Sequence, residues 1–466
     1  MSLPDTLRKA RDLEQVSLIA EPRPLSADTW NQYVQADAAR GSSAVPKLIA
    51  KLQSAHGQGQ PVRVIFAGHR GCGKSTELAR VSHAIREDYA GEVVRVDERY
   101  NLPSLDYRQL LFLCADVLMQ YVLRNQADPA PTKKIAISDD QLTVLRSWFD
   151  EETKKEVATS GQKFEGEAGA NLNFLGALFA RFSGKIFSGG DTQRTVSVYI
   201  ERRLDTLSQN MAILVRAIET AIAPRRLLLI LEGLDKIESL KQGRDLFIDQ
   251  RSSLLQIPCS VVFTFPIRLW YEPDGAISGY DHRCLLPMIP VRAAPESPDL
   301  SAADAESKAE EGRKTLREIV LARMDESLIA RDALDHLVDR SGGVIRDLLY
   351  MLRDASLNAR LAGRPQISLA DSKAASRQLR SDYARSLSAG SEIKVEDIRA
   401  VLGHPEDWPR RETSSNVAFK VLLQSLCILE YNGDTWHDLH PLIRDHLIIT
   451  RADEERRQKR RDARPS

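Results

Sequence analysis

The feature that most restricts how this chain can fold lies between residues 61 and 88. An apolar run, PVRVIFA, meets Gly68-His69-Arg70-Gly71-Cys72-Gly73-Lys74-Ser75, and a helical pattern follows directly. The eight residues satisfy G-x-x-x-x-G-K-[ST], and they stand between a strand and the start of a helix, the context in which such a loop grips phosphate. Glycines at 68, 71 and 73 let the backbone turn its N–H groups onto an anion, and the helix dipole adds partial positive charge there. Lys74 is expected to bridge the β- and γ-phosphates of ATP, and the Ser75 hydroxyl to ligate Mg²⁺. His69, Arg70, Cys72 and Thr76 complete the expected nucleotide cradle. A glycine-rich turn that merely happens to precede Lys-Ser is the competing reading, and the flanking strand and helix weigh against it.

A nucleotide site of this kind needs a carboxylate at the tip of a neighbouring strand. The run Leu227 to Leu231 ends in Glu232-Gly233-Leu234-Asp235. Glu232 is read mainly as the Mg²⁺ ligand and Asp235 as the group that polarises the attacking water, although the two roles can be exchanged. Further strand candidates are Glu92 to Val96, Val261 to Phe265 and Cys284 to Ile289. Unbroken apolar runs of this length suit a parallel sheet covered on both faces, so the expected fold is α/β, a parallel sheet built around the phosphate loop.

The 466 residues exceed one compact core and suggest two or three domains. The reading divides them into an N-terminal arm (1–40), the ATPase core (41–291) with an insertion at about 125–191, an exposed linker (292–311), a helical lid (312–388), a winged-helix domain (389–450) and a charged tail (451–466). Within the core, Val196 to Ile222 reads as one long amphipathic helix. The winged helix rests on the apolar helix Val417 to Leu426 followed by an Asn432-Gly433 turn between apolar runs, a hairpin signal. Lys plus Arg equals Asp plus Glu, 65 against 65, so no polyanion or membrane surface is implied by overall charge. The five scattered cysteines read as buried thiols, the N-terminus lacks the apolar stretch of a signal peptide, and charges interrupt Ala168 to Phe187. The expectation is a cytoplasmic protein without a membrane partner.

On these motifs the chain resembles the AAA-plus ATPases and the related STAND and KAP-type P-loop proteins, from Val62 to about Ile449. Where that group often has Asp-Gly-Leu-Asp, this chain has Glu232, which keeps the charge on a longer arm. The resemblance implies a polar sensor at Thr264, at the end of the next strand. It implies a second sensor at Arg346, in Ser341-Gly342-Gly343-Val344-Ile345-Arg346-Asp347, reaching the γ-phosphate; the competing reading pairs Arg346 with Asp347 or Asp354. If subunits associate, Arg283 is where an arginine finger would stand. His437 or His440 of the final hairpin would lock an ADP state, against the preferred reading of both as strand-capping residues.

The resulting expectation is an ATP-binding, ATP-hydrolysing molecular switch or motor that uses Mg²⁺ and acts on a partner protein. By resemblance alone, bacterial proteins of this kind serve in conflict or defence systems. Two rivals stand beside it. One is a DNA-binding ATPase of the origin-recognition type, for which Lys420 on the candidate recognition helix, Arg410, Arg411 and the basic tail are the available cations. The other is a nucleotide-dependent scaffold that does not hydrolyse.

Overall fold

The computed structural model describes residues 9–129, 131, 133–150, 171–188, 190–272, 274–294, 301–388, 400–402, 416–431 and 436–447. Five strands form one parallel sheet: β1 (Arg63–Gly68), β2 (Tyr89–Arg95), β3 (Arg226–Glu232), β4 (Ser260–Phe265) and β5 (His282–Leu286). Their order is β2-β3-β4-β1-β5. The expected α/β class and parallel sheet are therefore present. Strand residues alternate between two apolar layers: Ile65, Leu229, Leu231, Val261 and Phe263 enter one core, and Val64, Phe66, Leu228, Ile230 and Val262 the other. Burial of both faces explains why the strands read as continuous apolar runs rather than alternating ones.

This order fixes where chemistry can occur. All five strands run the same way, so the loop after β1, the carboxylates at the end of β3 and Thr264 near the end of β4 share the carboxyl edge of the sheet, where open α/β sheets bind ligands.

Several helices differ from the sequence expectation. The stretch read as one helix from Val196 is two, Gly190–Glu201 and Leu204–Ile222, separated at Arg202-Arg203. Amphipathic spacing continues through the break because both pieces pack on the same core. In the insertion, the helices Asp139–Ser147 and Leu172–Phe187 frame a cluster of Phe112, Trp148, Phe149, Phe179, Phe182 and Tyr199. The near-spanning apolar character of Leu172–Phe187 is that of a core helix, and no described helix is long and apolar enough to cross a membrane. All five cysteines are free and buried.

The expected linker at 292–311 is a correction. A helix, α1 (Ala302–Leu321), begins inside it, with the Ser301 side chain capping the Asp304 N–H; Ala305 and Ala309 are buried. Its Ala- and Glu-rich composition is a helix preference, not the mark of an open linker. The lid continues with α2 (Arg331–Ser341), α3 (Ile345–Leu361) and α4 (Leu369–Ser388).

Nor is the described part of residues 1–40 a separate arm. Ala10, Leu13, Val16 and Ala39 are buried in the lid core with Leu316, Val320 and Leu352. After the lid, α5 (Val417–Gln424) and an antiparallel pair, β6 (Ile428–Tyr431) with β7 (Trp436–Leu439), form the expected helix and hairpin. The Asn432-Gly433 turn and the cations Arg410 and Arg411 fall outside the described residues.

Candidate functional site

The phosphate loop is held open by its glycines. Gly71 has φ +80°, and a Cβ there would stand 2.7 Å from the Cβ of Arg346, so no larger residue fits beneath the lid. The helix that follows, Lys74–Ala84, starts at Gly73 and aims its N-terminus into a cavity of about 610 Å³. The cavity wall includes the loop, Glu232, Asp235 and Thr264 from the sheet, Ile345, Arg346 and Leu349 from α3, and Pro22–Leu25, Gln32–Val34 and Arg40 from the N-terminal segment.

The phosphate end is dense with paired charge. Lys74 is 7% exposed; its Nζ donates to the carbonyls of Gly68 and His69, each at 2.8 Å, and pairs with Asp235 Oδ2 at 2.9 Å. Burial pushes the Asp235 carboxyl up, but the Lys74 ammonium outweighs it and holds the group below the usual carboxylate range. Glu232 moves the other way: burial raises it, and a hydrogen bond with Ser75 offsets only part of that rise. The two carboxylates are thus shifted in opposite directions, Asp235 lowered by its lysine partner and Glu232 raised by burial beside the Ser75 hydroxyl. Ser75 and Glu232 together form the oxygen pair that suits Mg²⁺, which needs only one or two protein ligands beside water and phosphate. Among the described residues there is no cluster of three or more acidic, histidine or cysteine ligands.

Thr264 is at the expected strand end and lines the cavity. Its hydroxyl, however, donates to the Leu231 carbonyl and accepts from the Leu234 N–H, both at 3.1 Å. The side chain pins the turn that carries Glu232 and Asp235. Arg346 stands over the loop as expected: its N–H donates to the Gly71 carbonyl at 3.2 Å, while its Nε lies 3.5 Å from Asp347 Oδ1. Arg70 lines the cavity with its guanidinium donating to the Lys236 carbonyl at 2.7 Å, and the Cys72 side chain is buried in the core. Thr76 lines the cavity.

The C-terminal hairpin places its histidines away from the cavity, against the less favoured reading of an ADP lock. Neither His437 nor His440 lines the cavity. His437 lies 2.6 Å from the Tyr271 hydroxyl and His440 3.3 Å from Asp347 Oδ2. The hairpin reaches the loop through His69, whose Nδ1–H donates to the Leu423 carbonyl (3.1 Å) and whose Nε2 accepts the Glu430 N–H (2.8 Å). Burial and the Lys74 charge push His69 down to about 3, so it is neutral. Lys420 is likewise no free cation: it is buried and pairs with Glu272 at 2.6 Å. Helix α5 turns its Lys420 face inward and leaves Val417 exposed. Arg283 is exposed within β5, away from the cavity.

Sequence reasoning misses several residues. Arg40 is buried and donates to the carbonyls of Cys72 (2.5 Å) and Pro287, bracing the loop from below. Asp97, just after β2, pairs with Lys236 at 2.5 Å and occupies the space a side chain at Gly233 would need. It carries a readable signal, an acid at the tip of the second strand. Arg40 sits in no periodic pattern and carries none.

No family model and no curated protein matches the sequence. Among solved structures, the chain is similar to the Aeropyrum pernix ORC2 protein in its ADP form, at 13% identity and a TM-score of 0.40, over 95% of this chain and 98% of that one. It is also similar to the Thermotoga maritima RuvB Holliday junction branch migration motor, at 12% identity and a TM-score of 0.37, over 91% and 98%. Both likenesses are distant, and neither assigns an activity to this chain.

Proposed function

We propose that this chain is an AAA-plus-like, ATP-binding and ATP-hydrolysing molecular switch that acts on a partner protein. The observation that carries the reading is the convergence, in one cavity, of Lys74, Ser75, Glu232 and Asp235 under a lid arginine whose backbone is bonded to the phosphate loop. Lys74 neutralises the β- and γ-phosphates, leaving Asp235 free to accept a proton from, or orient, the attacking water. Ser75 and Glu232 would hold the Mg²⁺ ion, which would supply charge neutralisation at the phosphates.

The switch part of the reading is supported by two attachments to the same loop, Arg346 from the lid and His69 to the hairpin. The protein partner is favoured over duplex DNA by the burial of Lys420, which leaves α5 without an exposed cation for phosphate contacts. Self-association through Arg283 belongs to the resemblance alone.

The test is calorimetry and turnover on the purified chain. Mg²⁺-dependent release of ADP, abolished together with ATP binding in Lys74→Ala, is the expected result. Wild-type protein that binds neither ATP nor ADP would reject the site, and tight binding without turnover would leave the non-hydrolysing scaffold as the better account.

A further inference from the structure

One turn of the lid, residues 342–347, is held by both the phosphate loop and the C-terminal hairpin. The Arg346 N–H donates to the Gly71 carbonyl at 3.2 Å, and a Cβ at Gly71 would stand 3.3 Å from Arg346 Nε, so this side chain runs directly over the loop. The Gly342 carbonyl accepts from the Tyr431 hydroxyl of β6 at 2.8 Å, and a Cβ at Gly342 would stand 2.7 Å from Pro441 Cδ, so the hairpin closes on the same turn. Asp347, 2% exposed, sits where these contacts meet. The Tyr383 hydroxyl of α4 donates to its Oδ2 at 2.5 Å, His440 Nε2 lies 3.3 Å from the same oxygen, and Arg346 Nε lies 3.5 Å from Oδ1.

Of these three contacts only the tyrosine's is well directed. Arg346 Nε and His440 Nε2 are both buried without a hydrogen bond of good geometry. The Leu442 N–H donates to His440 Nδ1 at 3.2 Å, so the ring proton sits on Nε2, on the side of Asp347. Burial raises the Asp347 carboxyl, but His440, Arg346 and Tyr383 outweigh it and hold the group below the usual carboxylate range. A buried carboxylate thus has one firm donor and two that compete for what remains, and when one withdraws the other must compensate. We infer that Asp347 is a positioning residue that couples the nucleotide to the hairpin: a γ-phosphate that draws the Arg346 guanidinium away shifts the carboxylate onto His440 and tightens the hairpin, whereas ADP leaves Arg346 on Asp347. The inference rests on the reading of the cavity as a nucleotide site with Arg346 at the γ-phosphate. Coupling of this kind is reciprocal in binding free energy. Tyr383 and His440, neither of which lines the cavity, therefore favour ATP over ADP by freeing Arg346.

The experiment titrates wild type, Tyr383→Phe, His440→Phe, Asp347→Asn and Arg346→Ala with ADP and with a non-hydrolysable ATP analogue, both in Mg²⁺. Tyr383→Phe and His440→Phe each remove a donor to Asp347 and so strengthen its hold on Arg346. Each should lower the ratio of ATP-analogue affinity to ADP affinity about fivefold, the lower end of ordinary coupling between linked sites. That effect should disappear when either change is made in Asp347→Asn or in Arg346→Ala, a result that a merely structural role would not give. If His440→Phe does not fold, Tyr383→Phe carries the same test, since it keeps the ring and loses only the hydroxyl. Amide exchange supplies a second measurement on the wild type: the His440 N–H, which donates to the Cys427 carbonyl at 2.9 Å, should exchange more slowly with the ATP analogue than with ADP. Equal losses of both nucleotides in the Tyr383 and His440 variants, undiminished effects in Asp347→Asn, or the same exchange in both nucleotide states would overturn the inference. Wild type that binds neither nucleotide would instead sink the nucleotide reading, and an unchanged preference in Arg346→Ala would sink the γ-phosphate role of Arg346, and the inference would fall with either.

Discussion

The phosphate loop is gripped from two directions, and the grips differ in kind. On the cavity side the contacts are charged: Lys74 with Asp235, and Ser75 with a carboxylate raised by burial. On the C-terminal side they are neutral and use the main chain. His69 bridges the Leu423 carbonyl and the Glu430 N–H, and Gln424 donates to the Asp235 carbonyl at 2.9 Å. Charged groups change their interactions when phosphate and metal arrive. Neutral, directional bonds hold only while the backbone keeps its shape, so they are suited to registering what the charged side does.

The largest effect that would sharpen this contrast lies on the charged side. Glu232→Gln and Asp235→Asn should both retain ATP while hydrolysis falls on the order of 10²-fold, the usual loss for a positioned acid-base or electrostatic group. Normal turnover in Glu232→Gln would remove its metal role. The neutral side should respond differently: His69→Ala orphans a buried carbonyl and a buried N–H, costing about 2 kcal/mol of hairpin docking. Urea unfolding followed by intrinsic fluorescence should report the loss, and an unchanged midpoint would break the comparison. Smaller still, Arg346→Ala should reduce the preference for ATP over ADP about tenfold. Equal losses for both nucleotides would place that guanidinium away from the γ-phosphate.

The same division separates what can be read from sequence. The cavity side is local: the loop is eight consecutive residues, and Glu232 and Asp235 close an apolar run, so spacing alone identifies them. Strand-to-helix rhythm reveals the sheet, because burial on both faces leaves continuous apolar runs. The neutral side joins His69 to Leu423 and Glu430 across more than 350 residues, and no periodicity encodes such a contact. By its position in the loop His69 reads only as part of the cradle, and nothing local marks it as the residue that bonds the C-terminal segment. The helix α1 is hidden by a composition shared by linkers and exposed helix faces. Lys420 looks like a free cation in sequence because its counter-ion, Glu272, is remote along the chain.

The smallest predicted effect tests whether the neutral side is neutral for a physical reason. Glu430 lies on β6, fully buried between the core and the hairpin, with Tyr271 donating to its Oε2 at 2.7 Å and His437 beside the same hydroxyl. Burial pushes its carboxyl up to about 7, and the tyrosine hydrogen bond offsets only a little of that. A carboxyl raised in the folded state binds its proton more tightly there than when unfolded. Its contribution is therefore complete below the ordinary carboxylate range and is lost as pH rises through about 7. Asp438 on β7, raised by burial to about 6, acts with the same sign. Docking of the hairpin should accordingly weaken by about 1 kcal/mol between pH 6 and pH 7. Glu430→Gln, which keeps the shape and removes the ionisation, should flatten that slope and leave only the Asp438 share. Urea midpoints of the two proteins at both pH values decide it: parallel slopes would mean that Glu430 is already ionised in the fold, and that the hairpin side of the loop carries charge after all.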